Sequence, residues 1–105
     1  MINAKFYETS DDELVGFSVS GHAGYDDFGN DIVCASVSSA VMLAANTITE
    51  AFKAEAEVKV TDNRIEMRLK KHEQNAEKVL LGLLTHLYML SEDYQGTIKV
   101  SIEKA

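Results

Sequence analysis

The stretch AEVKVTDNRIEMRL, residues 56–69, decides the fold class because apolar and charged side chains alternate on both sides of a short turn. Apolar residues stand at positions 56, 58 and 60 and again at 65, 67 and 69. This period of two predicts two half-buried strands, and the polar residues 61–63 suit the turn of a hairpin. We therefore expect a hairpin with one face on a core and one in water.

Two segments flanking this hairpin have the three- and four-residue spacing of amphipathic helices. The apolar stripe of the first, over residues 34–53, consists of Val37, Val41, Ala44, Ile48 and Phe52. That of the second consists of Ala76, Leu80, Leu83, Leu87 and Leu90, and Gly96 follows as a stop signal. Each stripe needs an apolar surface to pack against.

Alternating residues also predict strands near both ends of the chain. Residues 2–6 and 15–19 form an opening hairpin, and residues 98–102 form a last strand. The order is then ββαββαβ, and we expect an α+β fold in which two helices pack on one mostly antiparallel sheet. Because the sequence has no proline, repeat or linker, we predict a single domain over residues 1–105.

Composition narrows the function classes. The net charge of −7 argues against direct binding of nucleic acid and favours a basic polypeptide as partner. Charged side chains among the first twenty residues interrupt any signal-peptide core, and no 18 consecutive apolar residues follow. One cysteine cannot form an internal disulfide. We expect a cytoplasmic protein without a membrane span.

Residues 21–33 fit neither period, because glycines at 21, 24 and 29 interrupt them, so we predict one long loop there. The loop begins at Gly21-His22 and ends just before Cys34, where the first helix is predicted to start. Helix-entrance amides and a neighbouring imidazolium both favour a thiolate. Cys34 is therefore a candidate nucleophile and His22 its candidate general base. A small buried cysteine and an ordinary loop histidine remain the alternatives.

Three neighbours have candidate supporting roles. Asp31 either caps the helix or orients His22, and Ser38, one turn after Cys34, bonds either the thiolate or its own helix. The backbone amides of Cys34 and Ala35 are candidate oxyanion donors.

The spacing of acidic residues from position 26 onward does not match a calcium loop, which has ligands where this chain has Phe28 and Val37. We expect neither a metal nor another cofactor.

The runs GHA at residues 21–23 and GNDIVCA at residues 29–35, followed by Ser38, resemble the bacterial ribosomal-processing cysteine protease family, Prp. The resemblance implies an endopeptidase that removes a short N-terminal extension from a large-subunit ribosomal protein, number twenty-seven, during ribosome assembly. It places His22 and Cys34 at the catalytic dyad, Asp31 and Ser38 at helper positions, and Gly21 at the glycine before the histidine.

The same resemblance implies a homodimer with a mobile loop over the site, and cleavage after an aromatic residue in a Phe-Ala context. We therefore expect an apolar pocket beside Cys34, with Tyr25 and Phe28 in its wall and Ala35 next to the bound peptide. Two alternatives stay open from the sequence. One is a non-catalytic ribosome-assembly or peptide-binding module that holds a basic peptide, and the other is a thiol sensor.

Overall fold

The computed structural model describes residues 1–21 and 28–105, and for residues 28–31 it describes the backbone. The strands are β1 (Ile2–Glu8), β2 (Leu14–Ser20), β3 (Ala56–Val60), β4 (Arg64–Leu69) and β5 (Ile98–Lys104). The helices are α1 (Phe28–Asn46), which runs on into a π-helical turn (Thr47–Ala51), and α2 (Gln74–Asp93). This succession confirms the predicted order ββαββαβ.

The five strands form one sheet in the order β3-β4-β2-β1-β5. The pairs β1–β2, β2–β4 and β3–β4 are antiparallel, whereas β5 returns after α2 and pairs parallel to β1. The prediction of a mostly antiparallel sheet is thus confirmed, with one parallel pair at the β5 edge. That pair places the first and the last strand of the chain side by side.

Both helices cover the same face of the sheet, and the core lies between the two layers. Phe6 on β1 faces Phe17 on β2 with ring centroids 6.3 Å apart, and both side chains are fully buried. Met67 on β4 and Leu80 on α2 are fully buried as well. Complete burial of one such side chain stabilises the fold by about 1.5–3 kcal/mol.

The first helix begins at Phe28, well before the start predicted at Cys34. The long loop predicted over residues 21–33 is therefore wrong for residues 28–33, and residues 22–27 lie outside the described chain. The physical reason is packing. Val33 is fully buried and continues the stripe of Val37 and Val41 toward the N-terminus. Burial of a valine outweighs the roughly 1 kcal/mol by which Gly29 disfavours a helix.

The segment Ile32–Ala51 has 20 residues and a mean hydropathy of 1.6, so by length and composition alone it is long and apolar enough to cross a membrane. In the fold one side of this segment packs on the sheet, with Val33, Val37, Val41 and Ile48 buried. The core helix of a globular protein can meet the same criterion. Here about a third of the segment is buried, and its other side exposes Ile32, Met42 and Leu43.

Candidate active site

Cys34 lies in the second turn of α1, on the side of the helix next to its buried stripe. Because successive residues turn by about 100°, Cys34 is adjacent to the line of Val33, Val37 and Val41 that faces the sheet. Its side chain is partly buried and packs against the core. The helix thus holds the thiol at the border between core and surface.

This border opens into a groove of about 180 Å³. Three segments enclose it: the side of α1 that carries Cys34, the end of β2 with Ser20 and Gly21, and residues 60–65 at the β3–β4 turn. Val19 and Ile65, which are neighbours across β2 and β4, line the groove as well. The groove therefore combines a thiol with apolar strand residues.

Ser38 lines the same groove one helical turn after Cys34, as its four-residue spacing predicts, and it is exposed. Ala35 is exposed on α1 immediately after Cys34. The structure therefore brings Cys34, Ser38 and Gly21 to one groove, with Ala35 close by on the helix.

Gly21 is held between two other parts of the chain. Its φ of +90° belongs to the left-handed region, and a Cβ atom at this position would lie 2.4 Å from the carbonyl oxygen of Met1. Its backbone N–H donates a hydrogen bond of 3.2 Å to the carbonyl of Asn63 in the β3–β4 turn. A residue other than glycine would be both strained and crowded here. The chain thus reaches position 22 from a fixed point at the edge of the groove.

Four predicted site residues fall wholly or partly outside the description. His22 and Tyr25 belong to residues 22–27. Phe28 and Asp31 lie in the first turns of α1, where the backbone alone is described. Asp31 is inside the helix, so the alternative that it caps the helix start is wrong, and the alternative that it orients His22 stays a prediction.

The early start of α1 also changes the surroundings of Cys34. Only the first four N–H groups of an α-helix lack a partner within the helix, and the dipole effect fades within the first turn. Cys34 and Ala35 follow Phe28 by more than four residues. Neither amide is left unpaired by a helix entrance, so this reason for expecting a stabilised thiolate and oxyanion donors there does not hold.

A family model described as cysteine protease Prp matches residues 1–99 of this chain. The chain belongs to the cysteine protease Prp family. It is therefore a cysteine protease, and the non-catalytic module left open by the sequence is not favoured.

Individual relatives agree with membership of the Prp family. The ribosomal processing cysteine protease Prp of Bacillus subtilis is 24% identical over 108 residues, covering 96% of each chain. That of Staphylococcus aureus strain NCTC 8325 is 23% identical over 104 residues, covering 96% of this chain and 98% of the relative.

Solved structures share the fold. The crystal structure of S. aureus Prp with a substrate peptide has a TM-score of 0.89 at 21% identity, and the one with a covalently linked product peptide has 0.87 at 22%. Both cover 98% of this chain and 100% of the other.

This Prp chain has a second polar cluster, which sequence reasoning missed. His72 lies between two glutamates: Nε2 is 2.6 Å from Oε1 of Glu77, and Nδ1 is 3.3 Å from Oε2 of Glu13. The other oxygen of Glu77 accepts the N–H of Leu14 at 3.0 Å. The cluster joins the β1–β2 turn to the first turn of α2. Its long-range contacts join residues that are 59 or more positions apart in the sequence, so no local sequence pattern indicated them.

The two central groups of this cluster shift each other's proton affinity. The hydrogen bond to Glu77 raises the pKa of His72, and the charges of Glu13 and Glu73 act in the same direction, against partial desolvation. The bond from His72 lowers the pKa of Glu77, helped by the N–H of Leu14. The cluster is thus an ion pair when His72 is protonated.

Each of the same three side chains offers one ligand atom, and these atoms lie within 4.8 Å of one another, close enough to hold one metal ion. Among the described residues, this is the group that meets that criterion. Both ring nitrogens of His72 already contact carboxylates, so a metal would have to displace one of these contacts. Leu14 begins β2 and Gly21 follows its end, so about 20 Å of strand separates the cluster from the groove of Cys34.

A larger cavity of about 610 Å³ lies on the other side of α1, between the two helices. Ala40, Leu43 and Leu83 supply apolar lining, and His86 on α2 lines the cavity as well. Cys34 is not among the residues that line it. This helical face is separate from the groove of Cys34.

Proposed function

We propose that this Prp chain is a cysteine endopeptidase that removes a short N-terminal extension from a large-subunit ribosomal protein, number twenty-seven, with the Cys34 thiolate as nucleophile and His22 as general base. The observation that carries the proposal is the position of Cys34. It is the one cysteine in the sequence of a cysteine protease, and it lines an open groove.

The placement of Gly21 supports His22 as the base. The N–H of Gly21 is bonded to Asn63 at the rim of the groove, and His22 is the next residue. A side chain that starts from this point needs no long loop to approach the thiol. Asp31 and Ser38 are the proposed helpers, with Ser38 in the same groove as Cys34.

The chemistry needs two half-reactions. In the first, the sulfur of Cys34 bonds to the scissile carbonyl carbon while His22 takes the thiol proton. The C–N bond then breaks, and His22 gives that proton to the leaving amine. In the second, a water molecule attacks the thioester and gives a proton to His22. The C–S bond then breaks, the new carboxyl terminus leaves, and His22 returns the proton to sulfur.

The substrate assignment rests on the relatives and on charge. The B. subtilis and S. aureus relatives are ribosomal processing proteases, and S. aureus Prp binds a substrate peptide. A net charge of −7 would attract a basic ribosomal protein. We propose that an aromatic side chain before the scissile bond enters an apolar pocket to which Tyr25, Phe28 and Ala35 contribute.

We further propose a single cytoplasmic domain over residues 1–105 that needs no metal or other cofactor and does not bind nucleic acid directly. We also propose a homodimer that uses the outer side of the helical layer. In support, Leu43 on α1 is 70% exposed, and Leu81, Tyr88 and Met89 on α2 are more than half exposed.

Peptide cleavage tests the central proposal. A peptide that spans a Phe-Ala junction should give two fragments by mass spectrometry. Cys34→Ala should abolish cleavage, and His22→Ala should lower kcat/KM about a hundredfold or more. His86→Ala is the matched control, because His86 is an exposed histidine of α2. Cleavage that persists in Cys34→Ala would overturn the mechanism. If the isolated ribosomal protein is not cleaved at any site, the substrate assignment is wrong.

A further inference from the structure

The edge strands of the sheet carry apolar side chains that the helices leave uncovered. One row across the sheet runs from Val58 through Met67, Phe17 and Phe6 to Ile102. The three middle residues are fully buried, whereas Val58 is 44% exposed at one end and Ile102 is 50% exposed at the other. The helical layer thus covers the central strands and leaves an open apolar margin on each side.

The two margins differ in what lies beside them. Val60, two residues after Val58 and on the same face of β3, is 64% exposed and lines the groove of Cys34. Its neighbour across the strands, Ile65, lines that groove too. Ile102 lines a different cleft at the opposite edge. The apolar margin of β3 is therefore continuous with the nucleophile's groove, and that of β5 is separate from it.

The opposite wall of the groove also extends beyond the thiol. Cys34, Ser38 and Met42 follow one another at four-residue steps, so they lie on one side of α1. Cys34 and Ser38 line the groove, and Met42 is 44% exposed. An apolar side chain is thus exposed on both walls beyond the thiol.

Resting on the proposed function, we propose that Val60 and Val58 are specificity-determining residues that bind apolar side chains of an extended substrate peptide. Val60 contacts the apolar side chain next to the scissile bond, and Val58 contacts the one two residues farther along. In an extended chain, residues i and i+2 point the same way about 6.8 Å apart, which is also the spacing of Val58 and Val60. The preferred substrates are therefore peptides with apolar side chains at two alternate positions.

Cleavage of a peptide series tests this inference. Each peptide keeps the scissile bond and replaces one flanking residue, on either side, by asparagine. The wild type should lose about tenfold or more in kcat/KM for asparagine next to the bond and again two residues away. Val60→Ser should weaken the first preference and leave the second, whereas Val58→Ser should abolish the second and leave the first. Ile102→Ser, an equally exposed residue at the other edge, should retain both.

Equal preferences in Val60→Ser and the wild type would overturn the inference, as would an equal loss in Ile102→Ser. Circular dichroism spectra of the three variants verify that each is folded. The peptides' binding to Cys34→Ala, measured by fluorescence anisotropy, reports the same preferences as dissociation constants. If Cys34→Ala binds the peptides with these preferences but the wild type does not cleave them, the proposed function fails and the specificity surface stands. If it cleaves without them, only the surface fails.

Discussion

The backbone N–H of Gly21 donates a hydrogen bond to the carbonyl of Asn63, and this contact joins the end of β2 to the β3–β4 turn at the rim of the Cys34 groove. The carbonyl of Met1 closes the other side of the glycine. Position 22 therefore follows a residue that is fixed from two directions.

Gly21→Ala should destabilise the protein and reduce its activity. The positive φ disfavours alanine by about 1–2 kcal/mol, and the close approach of the Met1 carbonyl adds to this. We expect a loss of more than about 2 kcal/mol in urea denaturation and a fall in peptide cleavage beyond the unfolded fraction. Gly96→Ala is the control, because Gly96 has a φ of +81° and open space around it. Equal effects of the two substitutions would contradict a role for crowding at Gly21.

Ser38→Ala should lower peptide cleavage about tenfold, because it removes the hydroxyl that we propose bonds the thiolate in the groove. Ser39→Ala should have no such effect. Ser39 is also exposed on α1 but lines the cavity between the helices. Alkylation of Cys34 by iodoacetamide at pH 7 should slow in Ser38→Ala alone. Unchanged alkylation and cleavage would mean that the Ser38 hydroxyl bonds its own helix and not the thiolate.

The cluster of His72, Glu13 and Glu77 predicts a pH dependence of stability. The raised pKa of His72 adds stability that is present below its usual 6.5 and is lost as the pH rises through the folded-state value. The lowered pKa of Glu77 adds stability that is present above its usual 4.5 and is lost as the pH falls through the folded-state value. The cluster should therefore stabilise the fold most between about pH 4.5 and 6.5.

His72→Gln tests this window. Its Tm should fall more below the wild type's at pH 5.5 than at pH 8.5, as measured by circular dichroism. His86→Gln, at an exposed position of α2, should show no such difference. A Tm deficit that does not change with pH would mean that His72 contributes by packing and not by its charge.

The proposed homodimer predicts a sensitive residue in the helical layer. Leu43 is 70% exposed beside the cavity between α1 and α2, so Leu43→Glu would place a charge in the interface. Light scattering should show a dimer for the wild type and a monomer for the variant, with Ile102→Glu still a dimer. A monomeric wild type would refute the dimer, and a dimeric Leu43→Glu would move its interface elsewhere.

The sequence predicted most of the elements because their apolar periods are regular. Strands β3 and β4 were placed from alternation alone, and Gly96 follows α2 with the positive φ expected near a helix end. The start of α1 was not predicted. Gly29 and Asn30 are weak helix formers, and the buried contact of Val33 that outweighs them is a property of the tertiary structure.

The candidate site was predictable in part for the same reason. Cys34 and Ser38 share a helix side by their spacing, which sequence reveals directly. The role of Asn63 was not visible, because a backbone carbonyl has no side-chain signature and its partner Gly21 lies 42 positions away. The valines of β3 were recognised as strand residues, but their exposure depends on how far the helices extend over the sheet.

The pairing of β1 with β5 has a consequence for folding. Ile2 pairs with Ile98, and the N–H of Ile2 donates a hydrogen bond to the carbonyl of Thr97. Folding must therefore bring together residues that are separated by nearly the whole length of the chain. Such high contact order makes the step slow. Because the carbonyl of Met1 packs on Gly21 at the groove, we expect catalytic competence to arise late in refolding, after the secondary structure has formed.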